Sequence, residues 1–199
     1  ASAARVPDCR VLETLILSTT VVALAEMGDK TQLLSFVLAA KFKRKTSIAL
    51  GFAERARDGR IYNSLAFLEE GRVLGVHRKV HLVNYGLFDE SRDFAPGEGF
   101  RLIESKHGRF GPLVCEDAWH SLSGTIAALD GAQVVVVIAA APARGAAPRG
   151  DQVPGPGSVE RWERLIRDIA EEQGVFCVLA NLVGSEGGRM FQGGSLIAG

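Results

Sequence analysis

Five consecutive β-branched residues, Val134–Ile138, set the strongest limit on the fold of this chain. A strand that is apolar on both sides belongs in a sheet whose two faces are both covered. A second apolar run, Val175–Ala180, follows a segment from Ser158 to Gly174 whose apolar residues recur at helical spacing. Strands that alternate with helices in this way indicate a layered α/β domain.

Shorter runs on either side of Val134–Ile138 extend this pattern, and glycines at their ends supply the turns. We predict strands at Ile61–Phe67, Arg72–Val76, Phe100–Glu104 and Phe110–Val114, a helix at Leu122–Leu129, a loop from Ala143 to Gly157 and a last strand at Met190–Ile197.

Composition excludes several classes of protein. A length of 199 residues indicates one domain, or one domain with an appendage. The 23 lysines and arginines balance 23 aspartates and glutamates, so nothing favours a nucleic-acid partner, which would need a basic face. Three scattered cysteines are too few for a disulfide framework.

The first fifty residues differ from the rest. Two apolar runs, Val11–Ala25 and Leu33–Ala40, are together long enough for a helix across a membrane, which needs roughly 20 residues. The polar insertion between them is costly in lipid. We therefore expect a leader at 1–10, a hydrophobic helix at 11–50 with membrane contact through 11–40, and a separate domain at 52–199. A buried helix of a soluble protein is the alternative.

The text ALAEMGDKTQLLSFVLAAKFKRK in this segment resembles the first transmembrane helix of the UPF0016 family of cation transporters. The matching motif consists of Glu26, Gly28, Asp29, Lys30 and Thr31. That family carries two such motifs facing each other, whereas this chain has one. Carboxylates on one helix cannot supply the six or more oxygens of a hard-cation site, so transport by this chain alone is not expected.

Two residues at strand ends point to chemistry. Cys115 directly follows Phe110–Val114, and a cysteine on a tight turn at a strand end exposes its sulfur together with backbone N–H groups. Lys79 follows another strand-like run, where its ammonium could stabilise a developing oxyanion. The alternatives are a small core cysteine and a surface lysine.

Several sequence motifs, in their order along the chain, resemble those of the nitrilase (carbon–nitrogen hydrolase) superfamily. They include DGRIYNS, HRKVHLVNYGLFDESRDFAPGE, GPLVCEDAW and ANLVGSEGGRMFQGGS. The likeness is greatest to the branch that includes the glutamine-amidase domain of NAD synthetases. It implies an incomplete domain of that family at 52–199: a partial α-β-β-α sandwich of α/β class, preceded by the long hydrophobic helix.

The resemblance also implies roles for eight residues. Cys115 would be the nucleophile, Lys79 the oxyanion-stabilising cation, and Glu90 a second glutamate that helps to set Lys79 and the substrate. Substrate-binding positions are implied for Tyr85, Glu116, Trp119, Arg144 and Asn181, where the backbone N–H of Glu116 joins Lys79 in the oxyanion hole and Arg144 could pair with a carboxylate.

The implied reaction is hydrolysis of a small amide or nitrile through a cysteine thioester, in the cytoplasm and with no metal or cofactor. The family's base glutamate should lie before the segment GFAER, where the transporter-like text stands, so we expect impaired turnover. Ala139–Pro142 also departs from the glutaminase branch, which puts glutamine in doubt. A homo-oligomer is a further expectation. A membrane cation-transporter fragment or an inactive chimera is the alternative function.

Overall fold

The structure, a computed structural model, describes residues 47–144 and 157–199. Its strands are β1 (Ser47–Arg55), β2 (Ile61–Glu69), β3 (Arg72–Arg78), β4 (Ile103–Ser105), β5 (Gly108–Val114), β6 (Val134–Ala139), β7 (Phe176–Asn181), β8 (Val183–Glu186), β9 (Arg189–Gln192) and β10 (Leu196–Ala198). Its helices are α1 (Ser121–Leu129) and α2 (Gly157–Gln173), with 3-10 helices at Glu90–Arg92 and Cys115–Trp119.

A five-stranded sheet with the order β10-β7-β6-β5-β4 forms the centre. Strands β5, β6 and β7 are parallel, and antiparallel β4 and β10 flank them. The β-branched run at Val134–Ile138 lies in the middle strand, β6, where both of its edges are hydrogen-bonded. The expected α/β class is confirmed.

Helices α1 and α2 cover one face of this sheet. Val135 and Leu179 are fully buried there in one apolar cluster with Trp162 and Ile166 of α2. Gly111 of β5 allows α1 to approach closely, because a Cβ at this position would lie 2.8 Å from the Cβ of Ala127. Strand β5 is thereby held firmly beneath the helix that follows it.

A second, antiparallel sheet with the order β1-β2-β3 packs on the other face. Leu65 and Phe67 of β2 are buried in one cluster with Ile103 and Val114, and the rings of Phe67 and Phe110 lie 4.7 Å apart. Residues 47–144 and 157–199 thus form three of the four layers expected for the sandwich. These are the helical layer, the central sheet and the second sheet.

The last predicted strand, Met190–Ile197, is wrong as a single element. Its first part belongs to β9, which forms a hairpin with β8, whereas its end belongs to β10, which pairs with β7. Gly193 and Gly194 separate the two strands with φ angles of +73° and +82°, which favour glycine and end the strand.

The boundary at residue 50 is also wrong. Residues 47–50, placed in the hydrophobic helix, belong to β1, which pairs along its whole length with β2. The rest of that helix, and most of the predicted loop after Ala143, lie outside the described residues. Within residues 47–144 and 157–199, neither helix has the length and apolarity that a membrane crossing requires.

Candidate functional site

The parallel strands β5, β6 and β7 point their carboxyl ends into one cavity of about 830 Å³, where ligands commonly bind in open α/β sheets. The second sheet contributes Gly51 and Asn63 to its lining. All eight residues assigned to a site from the sequence line this cavity: Lys79, Tyr85, Glu90, Cys115, Glu116, Trp119, Arg144 and Asn181.

Cys115 occupies a strained turn at the end of β5. It is the first residue of the 3-10 helix Cys115–Trp119 and has a φ of +46°, in the left-handed region that cysteine rarely adopts. Such strain persists only where neighbouring groups fix the backbone, and it is common at functional sites. The predicted combination of strand end, tight turn and cysteine is therefore confirmed, and the sulfur lies at the cavity wall.

The surroundings of Cys115 keep its thiol protonated. Burial raises its pKa to about 11; the Lys79 charge lowers the pKa, while Glu116 and Glu90 raise it further. Since only the thiolate is a strong nucleophile, attack by this sulfur at neutral pH requires a base to remove its proton.

Lys79 is a buried lysine, so the surface alternative is wrong. Its side chain is 2% exposed, and Nζ donates to Glu90 Oε2 at 2.5 Å. Glu90 also accepts the Val83 N–H at 2.7 Å and the Asn63 side-chain amide at 3.1 Å, which fixes the carboxylate from three sides. The Lys79 backbone is anchored as well, since its N–H donates to the Asn63 carbonyl at 2.8 Å.

Tyr85 and Glu116 form a second polar pair in the cavity. The Tyr85 hydroxyl lies 3.0 and 2.9 Å from the two Glu116 carboxylate oxygens. Desolvation and this bond raise the pKa of Tyr85 to about 12, so the hydroxyl stays a donor. Nε2 of His120 lies 3.7 Å from the same carboxylate. Both Glu116 carboxylate oxygens are therefore engaged within the cavity lining.

Arg144 carries an unused donor. Its backbone N–H donates to the Ser158 hydroxyl at the start of α2, at 3.0 Å. Its guanidinium carbon lies 5.5 Å from the centre of the Phe88 ring, and Nη2 is buried and has no hydrogen-bond partner among residues 47–144 and 157–199. A buried donor without a partner is costly, so this position favours a hydrogen-bond acceptor.

Asn181 and Trp119 shape the cavity wall. Asn181 accepts the Ala141 N–H through Oδ1 at 3.0 Å and donates through Nδ2 to the Gly193 carbonyl at 2.7 Å. Both ends of its amide are thus bonded to backbone. The Trp119 ring meets Trp162 of α2 edge-on, with centroids 5.0 Å apart.

Two residues that hold this site were missed from the sequence. Asn63 bonds to the Glu90 side chain and to the Lys79 backbone. Asp117 is fully buried, and its carboxylate bonds to residues before and after Lys79 and to Val114, which precedes Cys115. The only signal for Asp117 was an acid two residues after the cysteine. Spacing does not tell which backbone N–H groups such an acid accepts.

The base glutamate is expected before the segment GFAER. Residues 47–50, which directly precede GFAER, contain no glutamate, so this position falls outside the described residues. Glu54, a carboxylate within GFAER, bonds to the Arg78 guanidinium and at 2.8 Å to the Ser64 hydroxyl. The described carboxylates that line the cavity, Glu90 and Glu116, are engaged by Lys79 and Tyr85. The expectation of impaired turnover stays a prediction.

Fold and cavity together define a mixed α/β protein in which a cysteine thiol and a buried lysine line one cavity at the carboxyl ends of three parallel strands. The sequence model of the family described as Carbon-nitrogen hydrolase matches residues 16–199, and the chain therefore belongs to this family.

Several relatives agree with this placement. The chain is 30% identical to the glutamine-dependent NAD(+) synthetase of Acinetobacter baylyi over 150 residues, which cover 75% of the chain and 26% of the synthetase. It is 31% identical to the N-carbamoylputrescine amidase of Solanum lycopersicum, covering 70% of the chain and 45% of the amidase. The chain thus spans a quarter to a half of these curated relatives.

A solved structure of the Nesterenkonia sp. AN1 amidase matches with a TM-score of 0.70 and 25% identity, covering 88% of this chain and 62% of that one. That structure is of a Glu-to-Gln mutant of the amidase, in which the acetamide moiety of fluoroacetamide is covalently added to the active-site cysteine.

The transporter interpretation has no support. The hydrolase model matches from residue 16 onward and so includes most of the segment 11–50 that the sequence analysis assigned to a transporter helix. The chimera and the membrane fragment lose their basis with it. Oligomerisation and the cellular compartment stay predictions.

Proposed function

We propose that this chain carries the site of a cysteine-dependent hydrolase that cleaves the C–N bond of small amides. One observation carries the proposal: Cys115, on its left-handed turn, shares a cavity with the buried Lys79–Glu90 ion pair. The covalent adduct described for the Nesterenkonia amidase supports it. The same sulfur could attack a nitrile carbon, which is the second substrate class of the family resemblance.

In the first half of the reaction, a base takes the Cys115 proton and the sulfur attacks the amide carbon. A C–S bond forms, and the carbonyl oxygen acquires negative charge. The Lys79 ammonium and the Glu116 backbone N–H would stabilise this oxygen, since donors fixed before the reaction are effective in a water-poor cavity. Glu90 would hold the ammonium in place, and the C–N bond then breaks as the proton passes to the departing nitrogen.

In the second half, water attacks the thioester carbon, the C–S bond breaks and the acid leaves. The same two donors would stabilise the oxyanion again. The net reaction consumes one water and releases ammonia or an amine with a carboxylic acid, and the thiol is regenerated.

Acyl transfer to hydroxylamine tests this scheme. When butyramide is incubated with the protein and hydroxylamine, we expect butyrohydroxamate in addition to butyrate, because a thioester reacts with either nucleophile. Hydroxamate is measured as its iron complex. A Cys115→Ala chain serves as the control for direct aminolysis. Ammonia release without any Cys115-dependent hydroxamate would speak against the covalent scheme.

Arg144 supports a finer proposal, that the preferred amides carry a carboxylate. Its Nη2 is buried at the cavity and finds no partner in the described part of the chain, and a carboxylate is the natural partner of a guanidinium. Gly86 lies close to this group, since a Cβ there would be in van der Waals contact with Nη2, at 3.4 Å.

Arg144→Met is expected to lower kcat/KM for succinamate about 10- to 100-fold, the effect of losing a hydrogen bond to a charged group. Butyramide, which has a methyl group in place of the carboxylate, should be hydrolysed at an unchanged rate. Ammonia release from both amides is measured in parallel.

Arg189→Met is the matched control for charge. The Arg189 guanidinium also lies over Phe88, at 5.7 Å, but this residue is not part of the cavity lining. We expect little effect on either amide. If Arg144→Met affected succinamate and butyramide equally, the carboxylate assignment would fail.

A further inference from the structure

Asp117 is a buried carboxylate that the proposed chemistry does not use. It is fully buried, lies in the 3-10 helix after the cysteine and is not part of the cavity lining. A buried charge is retained only where several groups compensate it. Its contacts therefore identify what it holds together.

Each carboxylate oxygen of Asp117 bonds to the segment that carries Lys79. Oδ1 accepts the backbone N–H groups of Val80 at 3.1 Å and His81 at 2.9 Å, directly after Lys79. Oδ2 lies 2.9 Å from Nε2 of His77, two residues before Lys79. The lysine is thus bracketed by contacts to one side chain.

The same carboxylate closes the turn of Cys115. Oδ2 also accepts the Val114 N–H at 3.1 Å, so that Asp117 bonds back across the cysteine to the end of β5. The left-handed backbone conformation of Cys115 persists only where neighbouring groups fix it, and the bond from Val114 to Asp117 spans this residue. Asp117 is therefore bonded to both the Lys79 and the Cys115 segments.

We propose that Asp117 is a positioning residue that fixes the Lys79 ammonium relative to the Cys115 sulfur. The inference rests on the proposed function of these two groups. Asp117 contacts neither substrate nor reacting atoms, and it acts through the backbone on both sides of the pair. Small misplacements of reacting groups are expensive in rate, so a rigid link between the two segments matters for catalysis.

Asp117→Asn is the sharpest test, because it preserves size and changes only the acceptor pattern. Val80, His81 and Val114 offer fixed N–H donors to both oxygens. An asparagine amide has one acceptor oxygen, and its NH₂ must face at least one of these donors. Either the lysine segment or the cysteine turn loses its link.

Alkylation of Cys115 by iodoacetamide reports the link without a substrate, since its rate follows the thiolate fraction. The charged groups that act on this thiol are Lys79, Glu90 and Glu116, and Lys79 favours the thiolate. In Asp117→Asn we expect alkylation at pH 8 about tenfold slower, with the pH profile displaced upward. Peptide mapping separates Cys115 from Cys177, and Cys9→Ser removes the third thiol.

A double-variant cycle separates positioning from general structure. If Asp117 acts through Lys79, its substitution should add little slowing in a Lys79→Met/Glu90→Gln background, since residues in one network are not additive. Asp58→Asn, which removes a carboxylate paired with Arg60 at the surface, is the control and should alkylate normally.

If circular dichroism shows that Asp117→Asn does not fold, His77→Leu is used in its place. This change removes one of the four contacts of Asp117 and keeps its carboxylate. We then expect alkylation about threefold slower. A folded variant that reacts at the unchanged rate, or an effect that adds fully to the double variant, would overturn the positioning role. Cys115-independent ammonia release would instead overturn the proposed function and leave the alkylation result standing.

Discussion

Substitution of Cys115 by alanine is expected to reduce ammonia release from butyramide and succinamate by about 1000-fold or more, a loss typical of a removed nucleophile. The loss is large because the proposed reaction passes through a covalent thioester. Without the sulfur no thioester forms, and water alone must attack an unactivated amide. The fold should persist, because Cys115 is only partly buried and alanine keeps its Cβ contacts. Initial rates are measured at equal concentrations of folded protein.

Cys177→Ala is the matched control. Cys177 is fully buried in β7 within the apolar cluster beneath the helices, and burial raises the pKa of its thiol to about 12. It has no route to a substrate, so turnover should be unchanged. Equal rates for the Cys115→Ala chain and the unaltered chain would remove the basis of the proposed function, whatever the effect of the Cys177 change.

The central elements could be predicted from the sequence because their residues carry a strong local signal. The β-branched run in β6 and the amphipathic spacing of α2 leave few alternatives, and both elements form within a residue or two of the expected bounds. The hairpin of β8 and β9 was missed, although its turn has a signal. Gly187 and Gly188 both have positive φ, which a two-residue hairpin turn requires.

The first strand could not be recovered in the same way. Residues 47–50 follow an apolar and basic text, and apolarity alone does not distinguish a strand from the end of a helix. Pairing with β2 decides the matter, and pairing is a long-range property. The transporter resemblance was misleading because a short apolar segment with a polar motif can match the sequences of more than one family.

The candidate site was predictable as a set of residues but not as a geometry. Family resemblance assigned Lys79 and Cys115, which are 36 positions apart, and the fold brings both to one cavity. The resemblance did not indicate how they are held. Asn63 donates to the Glu90 carboxylate and Asp117 accepts from backbone N–H groups, and such contacts leave no pattern in the spacing of residue types.

Loss of the Lys79 ammonium is expected to lower kcat about 100- to 1000-fold, which is the usual effect of removing one oxyanion donor. Lys79→Met alone would leave the partly buried Glu90 carboxylate without its ionic partner, which lowers the stability of the fold. The informative variant is therefore Lys79→Met/Glu90→Gln, in which the pair is neutral. Its glutamine oxygen can still accept the Val83 N–H.

The second variant, Glu90→Gln alone, separates the roles of the two residues. It keeps the ammonium at the cavity but replaces its ionic partner with a neutral acceptor, so we expect a smaller loss in kcat than in the double variant. Thermal melting, followed by circular dichroism, verifies that each chain is folded at the assay temperature. If the double variant melted normally and hydrolysed succinamate at the unaltered rate, the oxyanion role of Lys79 would be excluded, and the stabilising charge would have to come from backbone N–H groups alone.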